Sequence, residues 1–440
     1  MTDWGETMLQ KAAFFTLGCK VNQTETEAAE GMFEDAGFEM VDFSEIADVY
    51  VINTCTVTSS ADRKSRQMIR RARQHGQTRN NTVIVMGCYA QSSSDEILEK
   101  LDVDLVIGNT HRALLVDYLR QYQQDGIKKV YVDDIMKEKE FEKIKSKRRI
   151  RRTRAFLKIQ EGCQQFCSYC IIPYTRGPIR SMLPDEVCHE VAELENQGFK
   201  EVVLTGIHIG SYGLDHKKGY LLPDLIRDIL KKTESIRVRI SSIEPTEVTE
   251  ALLSLIAKEE RICDHLHIPL QSGDDMILKK MNRPYDTDFY RKVMTMARSY
   301  MPDIAITTDI MVGFPFEEES HARHTLAFAK EMNFSDVHVF AYSPRDNTPA
   351  STYKHQVPKQ EKEKRSAELI ELARQMKHSY MELFINHPVQ VLFEQEHAEK
   401  AEGHTSKYLK VMVYEPVAKN EYRTVLPEKI ENEMLIGKIL

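Results

Sequence analysis

The fold of this chain is restricted first by a strand–helix pattern that repeats through its first third. Four apolar segments, AAFFTLGC, ADVYVINTC, NTVIVMGC and VDLVIG, are each followed by a segment that can form a helix. This alternation predicts a parallel sheet with right-handed crossovers. The first three segments end in Cys19, Cys55 and Cys88. Because the carboxyl ends of parallel strands share one edge, where ligands bind, we expect these three thiols to converge.

A single cysteine at a strand end would usually be a buried core residue. The same placement at three successive strands favours a shared site over three independent core positions. The other two cysteines outside the motifs fit the core better. Cys188 lies in an amphipathic helical segment, and Cys263 precedes an apolar strand.

The strand–helix alternation resumes on a larger scale from about residue 154. Six apolar segments, FLKIQ, EVVLTGI, IRVRISSI, HLHIPLQ, IAITTDIMVGF and DVHVFAY, are separated by amphipathic helical segments. Six such units predict a partial (β/α)6 TIM-like barrel with its chemistry at the carboxyl ends of the strands. After about residue 385 the pattern changes to the alternation of a small β domain, in VQVLFEQE, YLKVMVYE and MLIGKIL. That domain is either a small barrel of the oligonucleotide-binding kind or a packing appendage.

Composition indicates a soluble, cytoplasmic protein without a membrane segment. Of the 440 residues, 42% are hydrophobic and 29% are charged, which is typical of globular domains. No segment approaches the roughly 18 apolar residues of a membrane span, and the acidic start MTDWGETMLQKAAFF does not resemble a signal peptide. In a reducing compartment, eight cysteines are expected as core residues, metal ligands or catalytic groups rather than as disulfides.

Two basic runs stand out in a chain whose formal net charge is −7. Eight of the twelve residues from Lys143 to Arg154 are Lys or Arg, and RKSRQMIRRAR spans Arg63 to Arg73. Alone, either run would be read as a solvated linker or helix face. Together they leave a polyanionic partner such as RNA as an equal alternative.

The segment EGCQQFCSYC follows the first strand of the predicted barrel. It places Cys163, Cys167 and Cys170 at the spacing C-x3-C-x2-C. Structural zinc usually has four ligands in paired C-x2-C knuckles, and this segment offers no fourth ligand at that distance. Three thiolates on a four-iron cluster leave one iron open. The spacing therefore favours a cluster that binds a substrate or cofactor.

With Tyr169 directly before its last cysteine, this segment resembles the radical S-adenosylmethionine signature. The resemblance implies that Cys163, Cys167 and Cys170 hold a 4Fe–4S cluster whose open iron binds the amino and carboxylate groups of S-adenosylmethionine. It further implies reductive cleavage to a 5′-deoxyadenosyl radical, which abstracts hydrogen from an unreactive carbon. The cofactor supplies this chemistry, and the protein orients it.

The segments TLGCKVNQTETE, VINTCTVTSSADRKSRQ, VMGCYAQ, IIPYTRGPIRS and LTGIHIGSYG extend the resemblance over nearly the whole chain, to the methylthiotransferase family. The family implies a second 4Fe–4S cluster on Cys19, Cys55 and Cys88, which delivers sulfur with a methyl group from a second S-adenosylmethionine. The β domain lies where this family has its RNA-binding TRAM domain. The implied domains are a methylthiotransferase α/β domain at 10–136, a basic linker at 137–153, a radical core at 154–384 and a TRAM-like domain at 385–440.

Within the family, GCKVNQTETE and NTCTVTSSADRKSRQMIRRA resemble the branch that converts N6-threonylcarbamoyladenosine at tRNA position 37 to its 2-methylthio form. The implied partners are a tRNA anticodon stem-loop and an electron donor such as flavodoxin or ferredoxin; the sulfur donor is not indicated. The isopentenyladenosine branch more often begins GCQMN, and the ribosomal-protein branch GCxKN. Both remain alternatives, as does a non-enzymatic RNA-binding protein with structural metal.

Beyond the cysteines, six residues near strand ends are candidate contacts for S-adenosylmethionine. They are Tyr169, Thr205, Gly206, Ser242, Glu244 and Gln271. The superfamily holds the methionine amino group at the strand end that carries Thr205 and Gly206. Tyr169 is a candidate to position the adenine through its backbone, and the last three residues are candidates to face the ribose. The competing roles are packing for Tyr169 and helix capping for the later residues.

Two asparagines and two histidines complete the candidates. Asn22 and Asn53 flank the first cysteine set and either line the second cluster or shape its turns. His265 and His267 alternate on one strand and are interpreted as strand-surface residues.

Overall fold

The computed structural model describes residues 9–75, 81–144, 153–216, 219–397 and 399–440. They form a parallel sheet with helices, an open barrel of parallel strands and a small closed β-barrel, which is the predicted fold class. Most of the basic run in the predicted linker, residues 145–152, lies outside the described residues. Among the described helices, none combines the length and apolarity needed to cross a bilayer.

The first unit is a six-stranded sheet in which all neighbouring strands are parallel. Its strands are β1 Lys11–Thr16, β2 Glu39–Val41, β3 Val49–Thr54, β4 Thr82–Gly87, β5 Leu105–Ile107 and β6 Lys129–Tyr131. They lie in the order β2-β1-β3-β4-β5-β6. Every residue of β3 and β4 is buried, as expected for strands covered on both faces. The sequence predicted the four inner strands; the two edge strands are too short to show a pattern.

Five helices accompany this sheet. They are α1 Lys20–Asp35, α2 Ser59–His75, α3 Cys88–Ser92, α4 Ser94–Lys100 and α5 Leu115–Asp125. Apolar clusters fill both faces, with Met68 and Ile69 of α2 on one and Phe33 of α1 and Leu119 of α5 on the other. The helix predicted after YAQSSS is α4, and the short α3 adds an earlier turn that begins at Cys88 itself.

The second unit contains six parallel strands and one short antiparallel strand. They are β7 Arg154–Glu161, β8 Arg180–Ser181, β9 Glu201–Gly206, β10 Arg237–Ile240, β11 His265–His267, β12 Ala305–Val312 and β13 Asp336–Ala341. They form the sheets β10-β9-β7-β8 and β11-β12-β13, which isolated parallel bridges connect at Val238–Ile262 and Ser242–His267. No ladder joins β13 to β7 within the described ranges, so the barrel is partial, as predicted.

Helices cover the outside of this barrel and leave a polar interior. They are α6 Ile172–Arg176, α7 Pro184–Asn196, α8 Leu222–Lys232, α9 Glu250–Lys258, α10 Asp275–Lys280, α11 Thr287–Tyr300, α12 Glu319–Met332 and α13 Lys359–Glu382. On β7, Ala155, Leu157 and Ile159 pack into the apolar core beneath the helices. Since side chains alternate along a strand, Phe156 and Lys158 face the barrel interior.

The third unit is a closed barrel of five strands in the order β14-β15-β16-β18-β17. The strands are β14 Val389–His397, β15 Lys400–Thr405, β16 Lys410–Val413, β17 Tyr422–Glu431 and β18 Met434–Ile439. The sequence located β14, β16 and β18. It missed β15 and β17, in which charged residues and Pro427 or Gly403 interrupt the alternation. β15 and β17 close the barrel, and the terminal strand β18, with the sequence MLIGKI, pairs with β16 on one side and with β17 on the other.

A buried ion cluster joins the closed barrel to the base of the open one. Glu201, the first residue of β9, is fully buried and pairs with Arg237 and Arg239 of β10 at 2.6 Å. Arg239 also donates to the carbonyl oxygens of Thr405 and Ser406 at 3.1 and 2.8 Å. Burial opposes the charge of Glu201, but the two guanidinium groups hold the pKa of this carboxyl far below its usual range.

We predict that Glu201→Gln lowers the free energy of unfolding by about 3 kcal/mol, because it leaves two buried guanidinium groups without a counter-charge. Urea unfolding followed by circular dichroism measures the change. The matched control is Glu331→Gln, which removes an exposed partner of Arg291 and is expected to change stability by less than about 1 kcal/mol. Equal effects of the two substitutions would contradict a structural role for the Glu201 cluster.

Candidate active site

The three strand-end cysteines of the first unit lie together at the carboxyl edge of its sheet. Gly18 has a φ of 102°, and a Cβ there would lie 2.8 Å from Cys55 Cβ and 3.0 Å from its Sγ. Only glycine lets the loop after β1 approach Cys55 this closely. Cys19 Sγ donates to Asn22 Oδ1 at 3.5 Å, and Asn22 Nδ2 donates to the carbonyls of Leu17 and Thr54. Asn22 thus ties the loops after β1 and β3 together.

The third cysteine of this set joins the others through one buried arginine. Arg176 Nε donates to Cys88 Sγ at 3.2 Å, and its Nη2 donates to Asn22 Oδ1 at 2.6 Å. Asn109 Nδ2 also approaches Cys88 Sγ, at 3.8 Å. Asn53 donates to Asn22 O and Thr26 Oγ1, so its amide shapes the turn. The arrangement agrees with the convergence expected from strand ends.

Arg176 belongs to a buried ion network that spans the first and second units. It pairs with Glu25 of α1 and, at 2.6 Å, with Glu161 at the end of β7. Arg112 contacts both carboxylates, and Lys158 lies 2.8 Å from Glu161. Burial disfavours the carboxylate charges, but the surrounding cations hold the pKa of Glu25 and of Glu161 well below the usual range. Both acids are therefore ionised and neutralised inside the protein.

The second cysteine set begins two residues after Glu161. Gly162 has a φ of 79°, and a Cβ there would lie 1.8 Å from the carbonyl oxygen of Pro178, so only glycine fits this turn. The loop is held by Cys170 N, which donates to Cys167 O at 2.9 Å, and by Ser168 Oγ, which donates to Lys280 O at 2.8 Å. The loop therefore lies at the carboxyl mouth of the barrel.

Two charged groups contact the sulfur atoms of this set. Arg283 Nη1 donates to Cys167 Sγ at 3.2 Å, and the same guanidinium pairs with Glu244. His208 Nδ1 lies 3.7 Å from Cys163 Sγ, and its Nε2 lies 2.6 Å from Glu247. Burial disfavours the charged imidazole, but the Cys163 thiol and the Glu247 carboxylate raise the pKa of His208 to about 10.

The structure distributes the six predicted cofactor contacts around this mouth. The ring of Tyr169 packs edge-on against Phe314 at 6.4 Å between centroids. Thr205 and Gly206 end β9, where a Cβ on the glycine would touch Gln160. The remaining three follow the next two strands, in the order Ser242, Glu244 and Gln271.

Of these candidate residues, Ser242 is exposed to solvent and Gln271 is buried. Ser242 is exposed and bridges to His267 through backbone pairing. Gln271 has a φ of 66°, its backbone N–H donates to Asp309 O, and its buried Oε1 has no hydrogen-bond partner in the part of the chain that the structure describes. An unpaired buried oxygen at the barrel mouth is the expected state of a residue that completes its bonding with a ligand.

The barrel interior below the mouth carries two histidines and an aspartate. His267 Nε2 and His338 Nδ1 each lie 3.3 Å from a carboxylate oxygen of Asp309. Hydrogen bonding to Asp309 raises the pKa of His338. The interpretation of His265 as a strand-surface residue is wrong: it is buried and stacks on Tyr408 of the closed barrel at 5.4 Å. Because side chains alternate along β11, His265 and His267 both lie on its interior face. The third unit covers the part of this face that carries His265.

The charged residues of the site are less apparent in the sequence than the cysteines. Arg176 and His208 lie in IIPYTRGPIRS and LTGIHIGSYG, and Arg283 lies in KKMNRPYD, but no spacing in these segments marks the three residues as neighbours of the cysteines. Glu25 carried a readable signal, because it stands four residues from both Val21 and Ala29 on the buried side of α1. A carboxylate at a core position of a helix requires a cationic partner, although the sequence does not say which.

The donor sets fit two iron–sulfur clusters. All eight cysteines are free thiols, and six of them form the two groups of three. Each group has one sulfur that accepts an N–H from a buried guanidinium at 3.2 Å, a contact that stabilises thiolate charge. Burial raises the pKa of Cys55 to about 11, so this thiol is protonated at neutral pH until a metal displaces the proton.

Comparison with known proteins agrees with this geometry. Residues 11–108 match the uncharacterized protein family UPF0004, and residues 157–329 match the radical SAM superfamily. A threonylcarbamoyladenosine tRNA methylthiotransferase MtaB of Bacillus subtilis is 42% identical over 91% of this chain and 89% of its own length. The MtaB protein of Aquifex aeolicus is also 42% identical, over 84% and 90%. A tRNA-2-methylthio-N(6)-dimethylallyladenosine synthase of Oceanobacillus iheyensis is 35% identical over 89% and 76%.

Solved structures share the fold at low sequence identity. The radical S-adenosylmethionine methyltransferase TsrM from Kitasatospora setae, with cobalamin and a [4Fe-4S] cluster bound, matches with a TM-score of 0.56 at 15% identity, over 78% of this chain and 77% of its own. This likeness supports the arrangement of the sheet and open barrel. The relatives at 42% identity show that the chain belongs to the radical S-adenosylmethionine methylthiotransferase family, whose cofactors are S-adenosylmethionine and two 4Fe–4S clusters.

Proposed function

We propose that this enzyme adds a methylthio group to N6-threonylcarbamoyladenosine at position 37 of a tRNA anticodon stem-loop. The observation that carries the proposal is the pair of three-cysteine sets connected through one buried network. Arg176 contacts Cys88 of one set. It also contacts Glu161, which stands two residues before Cys163 of the other set. The MtaB names of the relatives support the choice of nucleoside.

In this proposal, Cys163, Cys167 and Cys170 hold the cluster that cleaves S-adenosylmethionine. The second cluster is held by the first set, namely Cys19, Cys55 and Cys88. When bound, the clusters and S-adenosylmethionine supply the radical that activates the adenine carbon and the sulfur and methyl group added to it. The protein fixes the two sites relative to each other and excludes water by its buried network.

Side chains around the cysteines have separate roles in the proposal. Arg283 and Arg176 donate N–H groups to thiolate sulfur, which offsets negative charge at each set. Glu244 positions Arg283 through one carboxylate oxygen and remains a proposed contact for the ribose. At the strand ends, Thr205, Gly206 and Gln271 remain proposed contacts for the bound S-adenosylmethionine, and Ser242 faces solvent beside them.

A basic helix face supports tRNA as the macromolecular substrate. Arg63, Lys64 and Arg70 of α2 are exposed, and within the described ranges no carboxylate lies at ion-pair distance from them. A cavity of about 530 Å³ adjoins α2 and is lined in part by Arg66 and Arg70. Uncompensated cations on one face suit phosphate contacts, which dominate affinity for nucleic acid. An enzyme of tRNA acts in the cytoplasm, with a flavodoxin or ferredoxin as the proposed electron donor.

The decisive test is the mass of the product. Reconstituted enzyme with S-adenosylmethionine and reductant is incubated with three substrates: a stem-loop with threonylcarbamoyladenosine, one with isopentenyladenosine, and a ribosomal protein. We expect the mass of an added methylthio group, in place of hydrogen, on the first only. Addition to either of the others with none on the first would reject the proposed substrate.

A second test counts the clusters. Anaerobic reconstitution should give about eight irons per chain, and the triple variant Cys19→Ala, Cys55→Ala, Cys88→Ala about four, because each set holds one four-iron cluster. The variant should still form 5′-deoxyadenosine under reduction but no methylthio product. Cys188→Ala, which changes a helix residue away from both sets, is the control and should retain eight. Four irons in the wild type with intact thiols would reject the two-cluster assignment.

A third test addresses RNA binding by α2. We predict that Arg70→Ala weakens stem-loop binding several-fold and lowers the slope of log affinity against log salt by about one, because one phosphate contact is lost. Fluorescence anisotropy across a salt series measures both quantities. Arg323→Ala, which removes an exposed arginine paired with Glu319 on α12, should change neither. Unchanged salt dependence in Arg70→Ala would remove this helix from the binding surface.

A further inference from the structure

The interior of the open barrel receives one cation from the neighbouring unit. Lys20 is the first residue of α1 and directly follows Cys19. Its ammonium lies 5.9 Å from the ring centroid of Phe156, an interior-facing residue of β7. Lys20 also lies within electrostatic range of His265 and His338 on the opposite strands. The side chain therefore reaches from the first cysteine set into the space enclosed by the barrel.

Lys20 lacks the counter-charge that the other interior cations have. Lys158 pairs with Glu161 at 2.8 Å, Arg154 with Glu394 at 3.0 Å and Arg239 with Glu201 at 2.6 Å. Across the described parts of the chain, no carboxylate lies within ion-pair distance of the Lys20 ammonium, and its side chain is exposed. It is accessible to a ligand and electrostatically incomplete.

The position of this lysine is unfavourable for the protein alone. A cation in the first turn of a helix faces the positive end of the helix dipole, which is destabilising, and α1 has no acidic residue in that turn to offset it. Arg154 and Arg239 add further positive charge near Lys20. An anion bound in the barrel interior would relieve both effects.

The wall opposite Lys20 is polar as well. Thr307 Oγ1 lies 2.9 Å from His267 Nδ1, and Asp309 is shared by His267 and His338. Asp309 is engaged by the two imidazoles and lies beyond ion-pair distance of Lys20, so it does not serve as the counter-charge of this lysine. A hydrocarbon substituent would desolvate these groups without bonding to them, whereas a substituent with a carboxylate and a hydroxyl would satisfy them.

We infer that Lys20 binds the carboxylate of the threonine moiety on the substrate adenosine and thereby selects this nucleoside over one with an apolar substituent. The inference rests on the proposed function and identifies the residue that would determine its substrate. Lys20 directly follows a cysteine of the first set, and its ammonium lies beside Phe156 of β7, the strand that leads into the second set. A carboxylate bound there would hold the adenine between the two sets.

The test is a double-mutant cycle between protein and substrate. Wild type and Lys20→Gln are compared on a stem-loop that carries the natural threonine carboxylate and on one that carries the carboxamide. We expect Lys20→Gln to lower kcat/KM for the carboxylate about 10- to 100-fold, mainly through KM, and to change the carboxamide reaction less than about threefold, because an ion pair exists only in the first case. Lys20→Arg should restore most of the preference.

Controls separate charge recognition from damage to the adjacent cysteine. Iron content and 5′-deoxyadenosine formation without RNA should be unchanged in Lys20→Gln. Lys11→Gln, which removes a half-buried lysine of β1 that lies beside Glu39 of β2, should behave as wild type. If Lys20→Gln loses iron, the affinities of wild-type enzyme for the two stem-loops decide: a preference for the carboxylate supports the inference, and equal affinity overturns it.

The outcomes distinguish this inference from the proposed function. Equal losses on both stem-loops in Lys20→Gln would show a contact with the RNA backbone or a structural role and overturn the carboxylate assignment alone. Failure of wild-type enzyme to methylthiolate the carboxylate stem-loop would overturn the proposed function and this inference together.

Discussion

The rest of this structure depends on the buried network in which Arg176 is neutralised by Glu25 and Glu161. Its members come from the helix after the first cysteine, from the end of the first barrel strand and from the short helix after the second cysteine set. Separating the sheet unit from the barrel would leave charges inside the protein without partners, which costs several kcal/mol for each ion. The network therefore keeps the two units in one relative position. Because Arg176 also donates to Cys88, the position of the first cysteine set is tied to the strand that leads into the second.

A second buried ion cluster lies at the opposite end of the open barrel. There Glu201 neutralises Arg237 and Arg239, and Arg239 donates to two carbonyls of the closed barrel. The open barrel is thus held on both sides by ionic contacts, and Tyr380, Met381 and Phe384 add an apolar contact with the closed barrel. Its interior stays polar and accessible, with Lys20 entering from one neighbouring unit and Tyr408 from the other. An interior of this kind suits a charged nucleoside better than a hydrocarbon group.

Strands and helices with strong periodicity were predictable, and weak or short ones were not. The runs of β3 and β4 and of the longer barrel strands, such as β7 and β12, are long enough for their patterns to exceed chance, whereas β2 and β6 have three residues each. The equally short β5 and β11 were located because apolar residues flank them in sequence. In the closed barrel, β15 and β17 carry glycine, proline and charges at positions where alternation would be apolar, because their register is set by pairing with neighbours. His265 was misplaced for the same reason, since its burial comes from Tyr408, more than a hundred residues later.

The sequence alone indicated both groups of cysteine ligands. The spacing of Cys163, Cys167 and Cys170 indicates a three-thiolate cluster because ligands within one loop need only local geometry. The positions of Cys19, Cys55 and Cys88 at successive strand ends indicated their convergence because parallel strands share a carboxyl edge. Tertiary structure alone decided which charges meet. Arg176 and Glu25, or Lys20 and Phe156, lie more than a hundred residues apart, and an ion pair leaves no periodic trace in sequence. Only the packing of the sheet unit against the open barrel brings these pairs to contact distance. The same packing creates the space between the two cysteine sets.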